Sequence, residues 1–166
     1  IQTSSGDIVL AGNSLKTDAI AALYDGKGNS CRWVKIYTEG TGSFFSDIVE
    51  LDGYLYFAGI SSNSKQMYSN FSTILYKCDL SGNVIAKQIL DGGGVFENKH
   101  PKLAIGDGEI LMSYDMDPAV TGSKIMVVRF NQDMEKLHEF CAYSAEKQSL
   151  VNNSIIVLPD YRFVLA

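Results

Sequence analysis

The chain has 166 residues, 46% of them hydrophobic and 20% charged, which suits one globular domain with a real core and excludes a disordered segment. Its formal net charge of −5 lacks the Lys/Arg excess that would neutralise phosphates, so no nucleic-acid partner is expected. The longest apolar runs, such as 125–128 and 155–158, fall far short of the roughly 20 residues of a membrane-crossing helix, so no membrane span is expected.

Fifteen Gly, nine Tyr and eight Phe against three Pro, with Ile and Val frequent, favour short strands joined by tight turns. In chain order, strand-length apolar segments lie at 7–12, 20–25, 31–37, 46–51, 54–59, 74–79, 84–90, 102–105, 109–114, 125–131, 136–142, 154–158 and 161–166. Many are continuously apolar, as at Met126-Val127-Val128, the pattern of strands covered on both faces. No window keeps helical spacing for three turns.

These segments repeat at intervals of about 50 residues. Asp7-Ile8-Val9-Leu10-Ala11-Gly12 aligns with Tyr54-Leu55-Tyr56-Phe57-Ala58-Gly59, with Glu109-Ile110-Leu111-Met112-Ser113-Tyr114 and with Tyr161-Arg162-Phe163-Val164-Leu165-Ala166. Each unit holds four strand-length segments, and the units fall near 1–45, 46–101 and 102–153, with a further one starting over 154–166. Four strands per unit of this length predict an all-β chain of four-stranded antiparallel β-propeller blades, about three repeats, as an incomplete or open segment of a longer propeller.

The pattern resembles a bacterial and protist β-propeller repeat family whose unit carries Asp-Gly, an aromatic-apolar strand ending in Ala-Gly, and an Asp-x-x-Gly-Asn turn followed by Trp-x-Lys. The resemblance rests on Asp52-Gly53-Tyr54 with Ala58-Gly59, on Asp25-Gly26-Lys27-Gly28-Asn29 before Trp33-Val34-Lys35, and on Asp79-Leu80-Ser81-Gly82-Asn83 before Ala86-Lys87. The third unit departs from it, with Asn131-Gln132-Asp133-Met134-Glu135 at the turn and no Ala-Gly. Such a blade implies the strand order 46–51 innermost, then 54–59, 73–79 and 84–90 outermost. On that scheme the first unit lacks its innermost strand and the last has only its first two, so association with a second copy or with missing blades is expected. Each Ala-Gly pair is expected to end its strand where a side chain would crowd its surroundings. Residue 1 is Ile, in a stretch without signal-peptide features, and any such segment is expected outside these residues.

Chemistry-bearing motifs are sparse. The turns 25–29, 79–83 and 131–135 place side-chain oxygens at alternate positions, as a calcium loop begins, but they lack its bidentate Glu; tight hairpins explain them, and no metal or cofactor is called for. His100 and His138 have no ligand partners arranged in sequence around them. Cys31, Cys78 and Cys141 are too far apart for a Cys-x-x-Cys motif and read as buried or half-buried strand residues, with a disulfide between two of them left open. Trp33, Tyr37, Tyr54, Tyr56 and Phe57 sit at strand positions, where packing accounts for them better than sugar stacking. Asn70 and Asn152 head glycosylation sequons in expected loops, so attached glycans are candidates.

The leading expectation is a non-catalytic structural or adhesive repeat module of a secreted or cell-surface protein, mediating protein–protein assembly. Its binding surface is expected on long loops at one end of the sheets, with Tyr68, Phe71, Phe96, His100, Met116 and Tyr143 as contacts. The rivals are a propeller enzyme or lectin acting on polysaccharide, with Asp47, Glu50, Asp52 and Asp107 converging on the axis, and an intracellular scaffold with reduced cysteines.

Overall fold

A computed structural model describes residues 1–14, 18–62, 71–90, 100–116, 124–143, 154–159 and 162–166. Among the described residues every regular element is a strand. In chain order these are β1 (Ile8–Asn13), β2 (Ala19–Tyr24), β3 (Cys31–Tyr37), β4 (Gly42–Leu51), β5 (Tyr54–Ser62), β6 (Phe71–Cys78), β7 (Val84–Leu90), β8 (Lys102–Gly106), β9 (Glu109–Met116), β10 (Lys124–Phe130), β11 (Lys136–Tyr143), β12 (Ile155–Val157) and β13 (Phe163–Leu165). They form four antiparallel sheets in chain order: β1-β2-β3, β4-β5-β6-β7, β8-β9-β10-β11 and β12-β13. The chain is all-β, and each strand segment read from the repeat forms. β4 begins at Gly42 rather than residue 46, and a bulge between Phe45 and Asp47 absorbs the extra length.

Local chemistry sets the connections. Asp52-Gly53 and Asp107-Gly108 join the first two strands of the second and third sheets, with φ of 51° and 77°, and 54° and 71°. Two successive left-handed residues twist a two-residue hairpin to match its strands, and Asp-Gly tolerates that best. The turn before each outer strand is a second recurring device. Asp25, Asp79 and Asn131 each accept, on Oδ1, the amide four residues on, from Asn29 (2.8 Å), Asn83 (2.8 Å) and Glu135 (2.9 Å). The fourth turn position is left-handed in all three, at Gly28 (71°), Gly82 (75°) and Met134 (67°). The side-chain oxygens at these turns are thus hairpin acceptors. The third unit keeps the turn with a buried methionine where the others have glycine.

The sheets lie face to face with a core in each interval. Val9, Ala21 and Leu23 of the first sheet meet Leu55, Phe57 and Ile74 of the second; Tyr56, Ala58 and Leu75 meet Ile110, Met112 and Val128 of the third; Leu111 and Val127 meet Ile155. The central strands β5 and β6 are buried on both faces because the second sheet is covered by the first and the third, whereas β2 alternates between buried and half-exposed residues. Consecutive sheets also touch through β4, β8 and β12, while the outer strands β3, β7 and β11 are largely exposed.

The first sheet has three strands, β1-β2-β3, and its inner edge carries only an isolated bridge between Gln2 and Ile8 with two backbone hydrogen bonds of 2.9 and 3.0 Å between Ile1 and Val9. Two expectations are corrected. The Ala-Gly pairs lie inside strands that run on to Asn13 and Ser62; crowding holds at Gly59, where an added Cβ would fall 1.9 Å from the Phe44 carbonyl oxygen, and fails at Gly12, which faces open space. Of the cysteines only Cys78 is buried; Cys31 and Cys141 are exposed on outer strands, and all three thiols are unbridged.

Candidate functional site

The interval between sheets is more than apolar contact, because the turns before β7 and β11 are each held by the sheet in front. Across the first interval Trp33 Nε1 donates to the Leu80 carbonyl (2.9 Å), Tyr37 Oη to the Gly82 carbonyl (2.9 Å) and Lys35 to the Asn83 side chain. Across the second, Tyr56 Oη (3.2 Å) and Lys77 Nζ (2.7 Å) donate to the Gln132 carbonyl and Gln88 Nε2 to the Met134 carbonyl (3.0 Å). Leu80 and Gln132 are equivalent turn positions, as are Gly82 and Met134. Side chains of one sheet therefore recognise two particular carbonyls of the next sheet's turn, from β3 in the first interval and from β5, β6 and β7 in the second.

Aromatic packing and charge reinforce the first interval. Tyr37, Phe45, Phe57 and Tyr76 cluster with ring centroids 5.0–6.1 Å apart. Tyr76 Oη (2.7 Å) and Lys87 Nζ (2.8 Å) both donate to Glu39 Oε2, and these bonds, Lys87 first, hold the Glu39 carboxyl below its ordinary pKa. Burial pushes the Cys78 thiol up to about 11 and the Tyr56 phenol to about 12. Of the aromatic residues named from sequence, Tyr37, Tyr56 and Phe57 are buried, Trp33 is half-buried, and Tyr54 is exposed with Lys77 Nζ 4.2 Å from its ring centroid.

At one end of this stack the same surface lies open. Strand alternation puts Ile8 and Leu10 of β1, Ile20, Ala22 and Tyr24 of β2, and Val34 and Ile36 of β3 on the face of the first sheet that points away from the second. Leu10, Val34 and Ile36 are 54, 54 and 61% exposed. In the repeat, Ile8 and Leu10 correspond to Leu55 and Phe57, and to Ile110 and Met112, all buried against a preceding sheet. The turn 25–29 is exposed or half-exposed, and among the described residues no side-chain donor reaches the carbonyls of Gly26 or Gly28, the positions that correspond to Leu80 and Gly82. At the other end β12 and β13 cover only part of the third sheet's outward face. A cavity of about 360 Å³ remains beside them, lined by Leu111, Arg129, Phe140 and Phe163 among others, and Phe140 is 44% exposed.

The loop contacts read from sequence fare unevenly. Tyr68, Phe96, Asn70 and Asn152 lie outside the described residues. Phe71 is not a loop contact: it opens β6 and is buried, since β6 starts before residue 73. His100 is largely exposed, 5.5 Å from the Phe44 ring, and partial burial of its imidazole followed by the charge of Lys102 lowers its pKa. Met116 and Tyr143 are the last residues of β9 and β11, each paired with Lys124. The strand ends that flank the long connections do share one end of the sheets. His138 lies on β11, as expected from sequence.

The four carboxylates of the enzyme alternative serve separate structural contacts. Asp47 accepts the Leu103 amide of the third sheet (2.8 Å), whereas Glu50 accepts the amide (2.6 Å) and hydroxyl (2.7 Å) of Ser4 beside the first. Asp52 accepts the Gln132 side chain, and Asp107 occupies a left-handed hairpin position. Among the described residues no cluster of three His, Cys, Asp or Glu side chains has the spacing to hold a metal ion. No described helix is long and apolar enough to cross a membrane. The open face of β1–β3 was missed in sequence because its residues resemble those of covered strands, and only the sheet order shows that no described strand lies over it. No protein-family model and no curated protein matches the chain.

Proposed function

We propose that the chain is a run of β-propeller blades, of the repeat type resembled in sequence, acting as a non-catalytic module for protein–protein assembly. The observation that carries this reading is the repeated latch: a face and two turn carbonyls engaged twice within the chain stand unengaged on the first sheet among the described residues. Contact through β4, β8 and β12 with exposed outer strands is the arrangement expected when sheets radiate from an axis. An open apolar face of this extent marks an interaction surface. A crystal structure of the assembled protein tests the reading: sheets radiating around a common axis support it, and a closed two-sheet sandwich contradicts it. Release of reducing ends from a polysaccharide panel would overturn its non-catalytic part.

The module belongs, on the leading reading, to a secreted or cell-surface protein carrying glycans at Asn70 and Asn152. A specific observation favours the intracellular scaffold instead: three unbridged thiols, two of them exposed, suit a reducing compartment. Mass spectrometry of the natively expressed protein separates the two, since glycans at either asparagine support secretion and their absence with unmodified thiols supports the scaffold.

A further inference from the structure

The partner of the open face can be specified by chemistry, on the assembly reading above. Whatever covers β1–β3 must present an apolar sheet face with a side-chain donor aimed at the carbonyl of Gly26, the position that Trp33 and Lys77 serve in the two intervals within the chain. Within this chain, such donors come from fixed places in the repeat. Lys77, which serves the second interval, corresponds to Arg129 of β10, and Trp33, which serves the first, corresponds to His138 of β11. Arg129, His138 and Phe140 stand in the outer half of the third sheet's outward face, which β12 and β13 cover only in part: Val127 is buried against Ile155, Phe163 lies 5.8 Å from the Phe140 ring, and Arg129 pairs with Glu109, yet Phe140 stays 44% exposed. The two ends of the stack thus match in their apolar faces and in the donors for the first turn carbonyl, while Phe140 and Ala142 stand where Gln88 and Tyr37 serve the second.

We propose that a second copy of this chain docks the open face of its β1–β3 sheet on the partly covered outer half of the third sheet, continuing the stack from one molecule to the next. Heterologous contact of this kind closes into rings or grows as a filament. Backbone placement makes the same assignment. β1 and β13 are equivalent second strands of their units, and β13 has three residues where β1 has six. The inner edge of β1 beyond Val9 has no paired strand among the described residues, and β12 is a first strand with only β13 beside it. In the docked assembly the incoming β1 pairs with β12, and β13 gives way.

Sedimentation velocity of the full chain over a wide concentration range tests this, with Val34→Lys on one face, Phe140→Lys on the other and Ile85→Lys as an exposed apolar control on neither. All four proteins are first checked for a β-type circular dichroism spectrum and cooperative unfolding. Wild type and the Ile85 variant are expected to associate, and each face variant to raise the dissociation constant by about tenfold or more. An equimolar mixture of the two face variants is expected to recover a dimer, because each retains the half the other has lost. A wild-type monomer at every concentration, equal association in all variants, or no recovery on mixing overturns the proposal. A folded monomer that binds a different protein through Val34 overturns the second-copy assignment alone, whereas a chain without the β-type fold overturns the assembly reading with it.

Discussion

Tyr37 of β3 donates its phenol hydroxyl to the carbonyl of Gly82 in the next sheet's turn, 2.9 Å away, with both residues buried. Removing the hydroxyl leaves a buried carbonyl without that donor. Tyr37→Phe is expected to destabilise the chain by about 1–2 kcal/mol, read as a lower urea midpoint at unchanged slope. An unchanged midpoint would show that the latch adds nothing to the interval.

Gly12 and Gly59 are equivalent in the repeat but differ in surroundings. A Cβ on Gly59 would fall 1.9 Å from the Phe44 carbonyl oxygen and 2.9 Å from Phe45 Cα, both backbone, while one on Gly12 meets nothing within 4 Å. Gly59→Ala is expected to cost about 3 kcal/mol or more, and Gly12→Ala to stay within about 0.5 kcal/mol. Thermal unfolding of the two variants side by side checks this, and equal losses would contradict the described packing of β4 on β5.

Met134 is buried and left-handed, at φ 67°, where the other two turns have glycine. Met134→Ala keeps the backbone strain and loses the side-chain packing, so a loss of about 2–4 kcal/mol is expected. Met134→Gly loses the same packing but relieves the strain, and is expected to be more stable than the alanine variant by about 1 kcal/mol. Chemical denaturation that ranks Ala above Gly would refute the turn assignment.

His100 lies 5.5 Å from the Phe44 ring, and its pKa is lowered from 6.5, chiefly by burial. A histidine with a depressed folded pKa binds fewer protons when folded than when unfolded. Its neutral form is therefore stabilising above 6.5, and that stability declines as pH falls from there through the folded pKa. His100→Gln is expected to flatten this part of the stability profile below pH 6.5, and an imidazole NMR titration centred at or above 6.5 would contradict the packing.

The strands were legible because propensity, Asp-Gly hairpins and the repeat all agree on them. The third turn, with Met134 in place of glycine, shows why the repeat was the stronger guide: the Asn131 side chain and burial of the methionine hold a backbone that the residue type alone disfavours. Phe71 was misplaced because an aromatic next to a sequon reads as loop, while pairing with Ser62 carries the strand one turn of the pleat further. The open face was invisible for a different reason. Val34 and Ile36 have the same apolar character as covered residues, and coverage belongs to the neighbour rather than to the strand.

Hydrogen exchange at the amides of Ala11 and Asn13 tests the central claim most directly. Val9 turns its amide and carbonyl to Ile1 on the inner edge of β1, so alternation turns those of Ala11 and Asn13 the same way, where no described strand meets them. Both amides are expected to exchange rapidly in dilute protein and to gain protection as concentration rises, together with the flanks of Val34 and Phe140. Protection that is equal at all concentrations, or that rises elsewhere and leaves β1 unchanged, would contradict a stack that continues through this edge and face.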